Sequence, residues 1–237
     1  MMMNLRYFLP ITFIAIIYNG CANDYVKPSS KTYAPDLALT KNISINYLEE
    51  DTLEASIGLW MFKKKALKEN AIANWLNWYN PDILEPINII WIDLRANDEL
   101  EASKNIEQFL ISNGWNVRSG SSTRYFAYVD GKWLFRYSGT WSDHPNPNLP
   151  NNHARVFTGH RLSSQKQVVH LSTGAFSRED GPVHHYISFN EARNALRPLG
   201  GWKLAEEELD LGNRIWHSQC TTMDHTGARV FVLHPQK

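Results

Sequence analysis

Cysteine is nearly absent. The 237 residues hold two, Cys21 and Cys220, too few for a disulfide framework to be the source of stability. The 24 lysines and arginines are balanced by 24 aspartates and glutamates. The basic residues gather on no one expected element, so the basic face that electrostatic binding of nucleic acid requires is missing. The sequence also lacks a phosphate loop, a G-x-S-x-G nucleophile elbow, and both H-x-x-x-H and H-E-x-x-H. Those absences remove the common signatures of nucleotide, acyl-transfer and zinc-protease chemistry. There is no internal repeat, and no apolar run reaches the roughly 20 residues of a bilayer-spanning helix.

The longest apolar run lies at the start. Arg6 precedes an almost unbroken apolar stretch from Tyr7 to Tyr18, followed by Asn19-Gly20-Cys21. A charged start, about a dozen apolar residues and a small residue before the cleavage point describe a secretory signal over residues 1–20. Gly20-Cys21 directly after that run resembles a bacterial lipoprotein signal, in which the cysteine is lipidated and becomes the mature N-terminus. Tyr18 and Asn19 depart from the usual aliphatic and small residues, which leaves ordinary cleavage or an uncleaved anchor as the alternatives. Ala22, in place of Asp, resembles cargo sorted to the outer membrane. The expected localisation is therefore the bacterial envelope, with the membrane engaged through a lipid on Cys21. Residues 21–45 mix Asn, Asp, Lys and Ser with Pro28 and Pro35 and read as a tether. Cys220 then has no partner and is expected to be a small buried residue rather than a nucleophile.

Residues 46–237 suit a single domain. The nine tryptophans are prominent in it. Trp60, Trp75 and Trp78 fall in a stretch, Leu53 to Tyr79, where Ile72, Trp75 and Leu76 have helical spacing and Lys63–Lys65 can form the solvated side. It is expected to pack its aromatics into the core, with a surface tryptophan stripe as the alternative. Ile87–Leu94 is an apolar, β-branched run of buried-strand length. Asp98, with Glu101 three residues on, supplies an N-cap for a helix that Asn113-Gly114 ends. Tyr125–Val129 and Lys132–Tyr137 flank Asp130-Gly131, the signature of a tight hairpin. Further strands are expected near Ala154–Thr158, Val168–Thr173, Val183–Ile187, Trp202–Leu211, Arg214–Thr221 and Ala228–Leu233. Ser188–Glu191 reads as a capping box opening another helix. Together these predict an α+β domain: a mixed or mostly antiparallel sheet with two or three packed helices.

All nine histidines lie at or after His144. They cluster about the stretch Gly139–Arg161, whose prolines Pro145, Pro147 and Pro150 and asparagines mark a loop. That loop, Ser142–Asn152, reads as too polar to be buried and as one wall of a cleft. Asp143 and His144 lie within it, and His153 and His160 bracket the strand that follows. His184 and His185 point to opposite faces of another strand, so one of them can join a shared site. Arg155 and Arg193 offer planar forks for an anion. The alternative for Arg193 is the exposed side of its helix, paired with Glu191 or another carboxylate. The ligand-binding candidates are thus Asp143, His144, His153, Arg155, His160, His184, His185 and Arg193. The ligand expected is small and anionic, or a lipid headgroup. No cofactor is expected, and the spacings make zinc a minority alternative.

The order of motifs carries a resemblance. A strand–helix unit ends in Gly114-Trp115, Asn152-His153-Ala154-Arg155 opens a later strand, and His184-His185 leads into a helix with Glu191 and Arg193. The chain then returns through a glycine-containing turn to an apolar strand. Over Pro86–Leu233 this resembles the C-terminal domain of LssY-type envelope proteins, which often follows membrane-embedded modules that have no match here. The resemblance implies an envelope role rather than a reaction. The expected function is an outer-membrane lipoprotein with a ligand-binding or accessory domain. The alternative is a hydrolase, acting on phosphoesters or lipid headgroups through its His, Asp and Arg side chains.

Overall fold

Alternation of period two governs the chain from Thr40 onward. The computed structural model describes residues 40–63, 83–118, 125–146, 148–181, 186–212 and 227–235. In β1 (Thr40–Leu48), Ile43, Ile45 and Tyr47 are buried while Asn42, Ser44 and Asn46 are exposed. β2 (Asp51–Gly58) buries Leu53, Ala55 and Ile57 in the same rhythm. Both strands fall where the sequence reading placed other things. Thr40–Ile45 was assigned to the tether because it is rich in Asn and Ser, yet its isoleucines enter the core. Leu53–Lys63 was assigned to a helical stretch, yet it forms β2 and β3 (Trp60–Lys63), with Trp60 buried. Leu, Glu and Ala favour helices by propensity, but an apolar/polar period of two matches a sheet facing a core, and packing overrides propensity. Trp75 and Trp78 lie outside the described residues.

Sheet A has the order β1-β2-β7-β3-β4, with β8 also on β7; its further strands are β4 (Ile83–Pro86), β7 (Tyr125–Val129) and β8 (Lys132–Phe135). The β7–β8 turn is the expected one, with Asp130 and Gly131 both at positive φ, 44° and 76°, as a two-residue hairpin loop requires. Sheet B contains β5 (Ile89–Asp93), β6 (Asn116–Arg118), β9 (Thr140–Ser142), β10 (Asn151–Ser163), β11 (Val168–Glu179), β12 (Tyr186–Ser188), β13 (Trp202–Asp210) and β14 (Gly227–Leu233). Its order is β13-β14-β5-β11-β10-β9-β6, with β12 on β11. The β5–β14 pair is parallel and the other described pairs are antiparallel.

The expected α+β fold with two or three packed helices is overturned. Among the described residues 58% lie in strands and 14% in helices. The described helices are α1 (Glu99–Ser112) and the six-residue α2 (Phe189–Asn194). Both start as read: Asp98 accepts from the Glu101 amide, and Ser188 from the Glu191 amide. Strands β10 and β11 run well beyond the segments expected for them, and the polar residues Asn151, Asn152, His153, Ser177 and Glu179 in the added parts are buried.

Alternation splits sheet B between two interiors. Ile90 and Ile92 face sheet A, together with Leu53, Ile57, Val129, Phe157, Leu171 and Val230. Ile89 and Trp91 face the helices, with Phe109, Trp115, Phe176 and Phe231. A bulge interrupts β10 between Phe157 and His160. It contains Gly159 at φ +87°, where a Cβ would stand 2.8 Å from the Glu99 Cβ. Only glycine lets the first turn of α1 sit down on this strand.

Candidate functional site

The bulge does not reach the first half of β10, where the candidate residues lie. His153 stands opposite Ser177 and Arg155 opposite Ala175. Alternation therefore directs His153, Arg155, Ser177 and Glu179 toward sheet A. Sheet A answers with Glu85 from β4. Arg155 donates from Nη1 to Glu85 Oε1 at 2.5 Å, and the Ser177 hydroxyl donates to Glu85 Oε2 at 3.1 Å. The Tyr186 hydroxyl donates to Glu85 Oε1 at 3.3 Å. His153 lies between the two carboxylates, with Nε2 3.5 Å from Glu85 and Nδ1 3.2 Å from Glu179. Its Nε2 is also 2.9 Å from Ser177 Oγ. The Arg155 guanidinium rests on the Tyr125 ring, 4.3 Å from the centroid.

This constellation is interior. Glu85 is 2% exposed, His153 4% and Ser177 0%. Burial would push the Glu85 carboxyl up, but the charges of Arg155 and His153 hold it at about 2. Burial would lower the His153 imidazole, yet the Glu85 charge and the Glu179 hydrogen bond raise it to about 9. At neutral pH the Glu85 carboxylate thus faces an imidazolium and a guanidinium, with Glu179 on the far side of His153, in a group spanning both sheets.

Ser177, His153 and Glu179 stand in the order of nucleophile, base and orienting carboxylate. The electrostatics oppose that use. A general base needs a free lone pair at Nε2, and an imidazolium has none. The Ser177 proton is directed at Glu85, and the hydroxyl has no access to solvent.

The other sequence candidates do not join this group through any bond among the described residues. The Asp143 carboxylate accepts the Asn152 amide at 2.9 Å and its side-chain nitrogen at 2.6 Å. His144 Nδ1 accepts the Asn146 amide at 3.0 Å. Both residues therefore shape the loop itself. The loop is expected to be too polar to be buried, but Ser142, Asn151 and Asn152 are buried at its ends. Arg118, which donates to the His144 carbonyl and to Asn151, helps satisfy them. His160 lies within β10 rather than beyond its end, half-buried, and burial with the nearby Lys132 charge lowers its pKa. Arg193 is not on an exposed helix face: it is buried, with Nη2 3.8 Å from Glu208, while Glu191 pairs with Arg178. His184 and His185 lie outside the described residues.

Two depressions on the described surface are lined by residues other than this group. One, of about 430 Å³, lies over Asn42, Ser44, Glu54 and Ser56. The other, of about 510 Å³, lies between the β1–β2 turn and Lys203–Ala205 with His234. Among the described residues no group of three or more His, Cys, Asp or Glu could hold a metal ion.

Sequence reasoning missed Glu85, Ser177, Glu179 and Tyr186. One signal was available: Glu85 is the lone charge in the apolar run Ile83–Ile92, and a carboxylate there must meet a cation when the run is buried. Ser177 and Glu179 carried none, since their role depends on strand register. Comparison with known proteins gives no match to any family model, curated protein or solved structure.

Proposed function

We propose that the protein is a lipid-anchored envelope lipoprotein whose β domain is a ligand-binding or accessory module at the outer membrane. Gly20-Cys21 after a signal-length apolar run supports the anchor, and the LssY-type resemblance agrees with an envelope role. The observation that carries the non-enzymatic reading is the closure of the His153–Arg155 group. Glu85 and Glu179 already engage its cations, so it holds two sheets together rather than a substrate. On this reading any ligand is met at the surface, through groups other than His153 and Arg155.

The hydrolase reading rests on one specific observation, the Ser177–His153–Glu179 order. A fluorophosphonate probe decides between them. The binding-module reading expects no labelling at Ser177 between pH 6 and 9, and stoichiometric labelling lost in Ser177→Ala would establish the hydrolase. The anchor is tested separately. Globomycin or Cys21→Ser is expected to abolish lipid labelling and shift the mobility of the precursor, and no change in either would remove the lipoprotein reading.

A further inference from the structure

Among the described residues strand β1 forms the outer edge of sheet A and pairs only with β2. Which backbone groups it leaves open follows from Ser56. The Ser56 amide donates to the Asp130 carboxylate at 2.5 Å, and the Ser56 carbonyl accepts from the Asp130 amide at 2.8 Å. Both bonds point away from β1. Because Ser56 stands opposite Asn42, that pair is a non-hydrogen-bonded one of the antiparallel ladder. By alternation, the N–H and C=O groups of Asn42, Ser44 and Asn46 project from the open side of β1, and their side chains are exposed. No described residue outside the sheet bonds to these backbone groups.

Open edges are ordinarily blunted by charge, proline or a bulge. Asn42–Asn46 has none of these. Lys41 precedes it with its ammonium bound to the Asp210 carbonyl at 2.6 Å, and the register shift falls after Asn46. The segment instead reads Asn-Ile-Ser-Ile-Asn, the same in both directions. An antiparallel partner of identical sequence centred on Ser44 sets Ser44 against Ser44, Asn42 against Asn46 and Ile43 against Ile45. The outward-facing residues then meet one another and exchange both N–H···O bonds of each pair. Asn and Ser face their like on the exposed side, Ile meets Ile on the core side, and Lys41 falls opposite Tyr47 instead of a second lysine.

We propose that β1 is a homodimer interface: two copies pair β1 to β1 in antiparallel fashion about a two-fold axis at Ser44, joining their sheets into one. The interface is isologous, as closed two-fold assembly requires. It needs no residue of the buried His153 group and stands apart from the assignment of function.

Cysteine substitutions test the register in the full chain, with the Cys220→Ser parent as control. Opposed residues of a hydrogen-bonded pair lie about 5.5 Å apart at Cα, within disulfide reach. Under mild oxidation Ser44→Cys is expected to give a covalent dimer. Asn42→Cys and Asn46→Cys are each expected to give no covalent dimer alone and to cross-link when mixed. Ser44→Lys sets two like charges face to face at the axis. It is expected to weaken dimerisation at least tenfold by light scattering while leaving Tm unchanged. A wild-type chain monomeric at every concentration, equal cross-linking from all three positions, or a dimer unaffected by Ser44→Lys would each overturn the proposal. So would a monomeric chain that carries an unrelated strand on β1.

Discussion

On the helix side of sheet B, large aromatics fill the interior. Trp91 and Phe109 meet at 6.3 Å and 78°, and Trp115 and Phe176 at 5.1 Å and 64°. On the side facing sheet A, the interior ends in Glu85, His153, Arg155, Ser177 and Glu179. The first region is held by contact area, which tolerates small displacements and carries no dependence on pH. The second is held by matched charges at fixed distances, where losing one partner leaves another buried and uncompensated. The aromatic side is thus the robust wall of sheet B, and the charged side the conditional one.

Glu85→Ala should break the charged side most severely, because Arg155 would lose its carboxylate and His153 would be left with Glu179 alone. A loss of about 3–5 kcal/mol is expected in denaturant titrations at neutral pH. A loss below about 1 kcal/mol would place the group among weakly coupled surface pairs instead.

Titration sharpens the contrast. The folded Glu85 value, about 2, lies below its ordinary 4.5. Its contribution is therefore present above pH 4.5 and lost as the pH falls toward 2. The folded His153 value, about 9, lies above its ordinary 6.5. Its contribution is complete below 6.5 and lost as the pH rises through 9. Each arm is worth about 3 kcal/mol at some 1.4 kcal/mol per pH unit. Both arms report largely one interaction and are not summed. Stability should peak between these windows, and His153→Gln should remove the alkaline arm.

Phe109→Leu, on the aromatic side, should lower stability by roughly 1–2 kcal/mol. The whole pH profile should move down without a change in shape. A profile that did change shape would show that the two sides of sheet B are coupled. Asp98→Ala is the smallest effect expected, about 1 kcal/mol, because it removes only the cap of α1.

What was legible in the sequence was local. The cap at Asp98, the Ser188 cap on the Glu191 amide and the Asp130-Gly131 hairpin depend on residues a few positions apart, and each forms as read. The predominance of strands was present but masked by residue type. Ile43, Ile45 and Tyr47 alternate correctly inside a stretch whose Asn and Ser resemble a linker, and Leu53–Ile57 alternates through good helix formers. The site was half legible. His153 and Arg155 were singled out, and they do share one face. Their closure by Glu85 depends on a strand some 70 residues earlier, and no local pattern announces a contact at that range. For Arg193 the exposed helix face was the wrong expectation, since it is buried, while its pairing with another carboxylate comes from Glu208 on β13.

The placement of β14 has a consequence in time. This strand is wholly buried and lies inside sheet B, between β13 and the parallel β5. A chain threaded N-terminus first, from a ribosome or across a membrane, presents β5 long before its neighbour arrives. Until then Ile89–Asp93 keeps one open edge and the aromatic side cannot close over Phe231. Such long-range pairing is slow to form, so sheet B stays unfinished until Gly227–Leu233 has arrived. A pause in synthesis or transport before Gly227 would strand an apolar edge in the open, where a chaperone or another nascent chain could pair with it first.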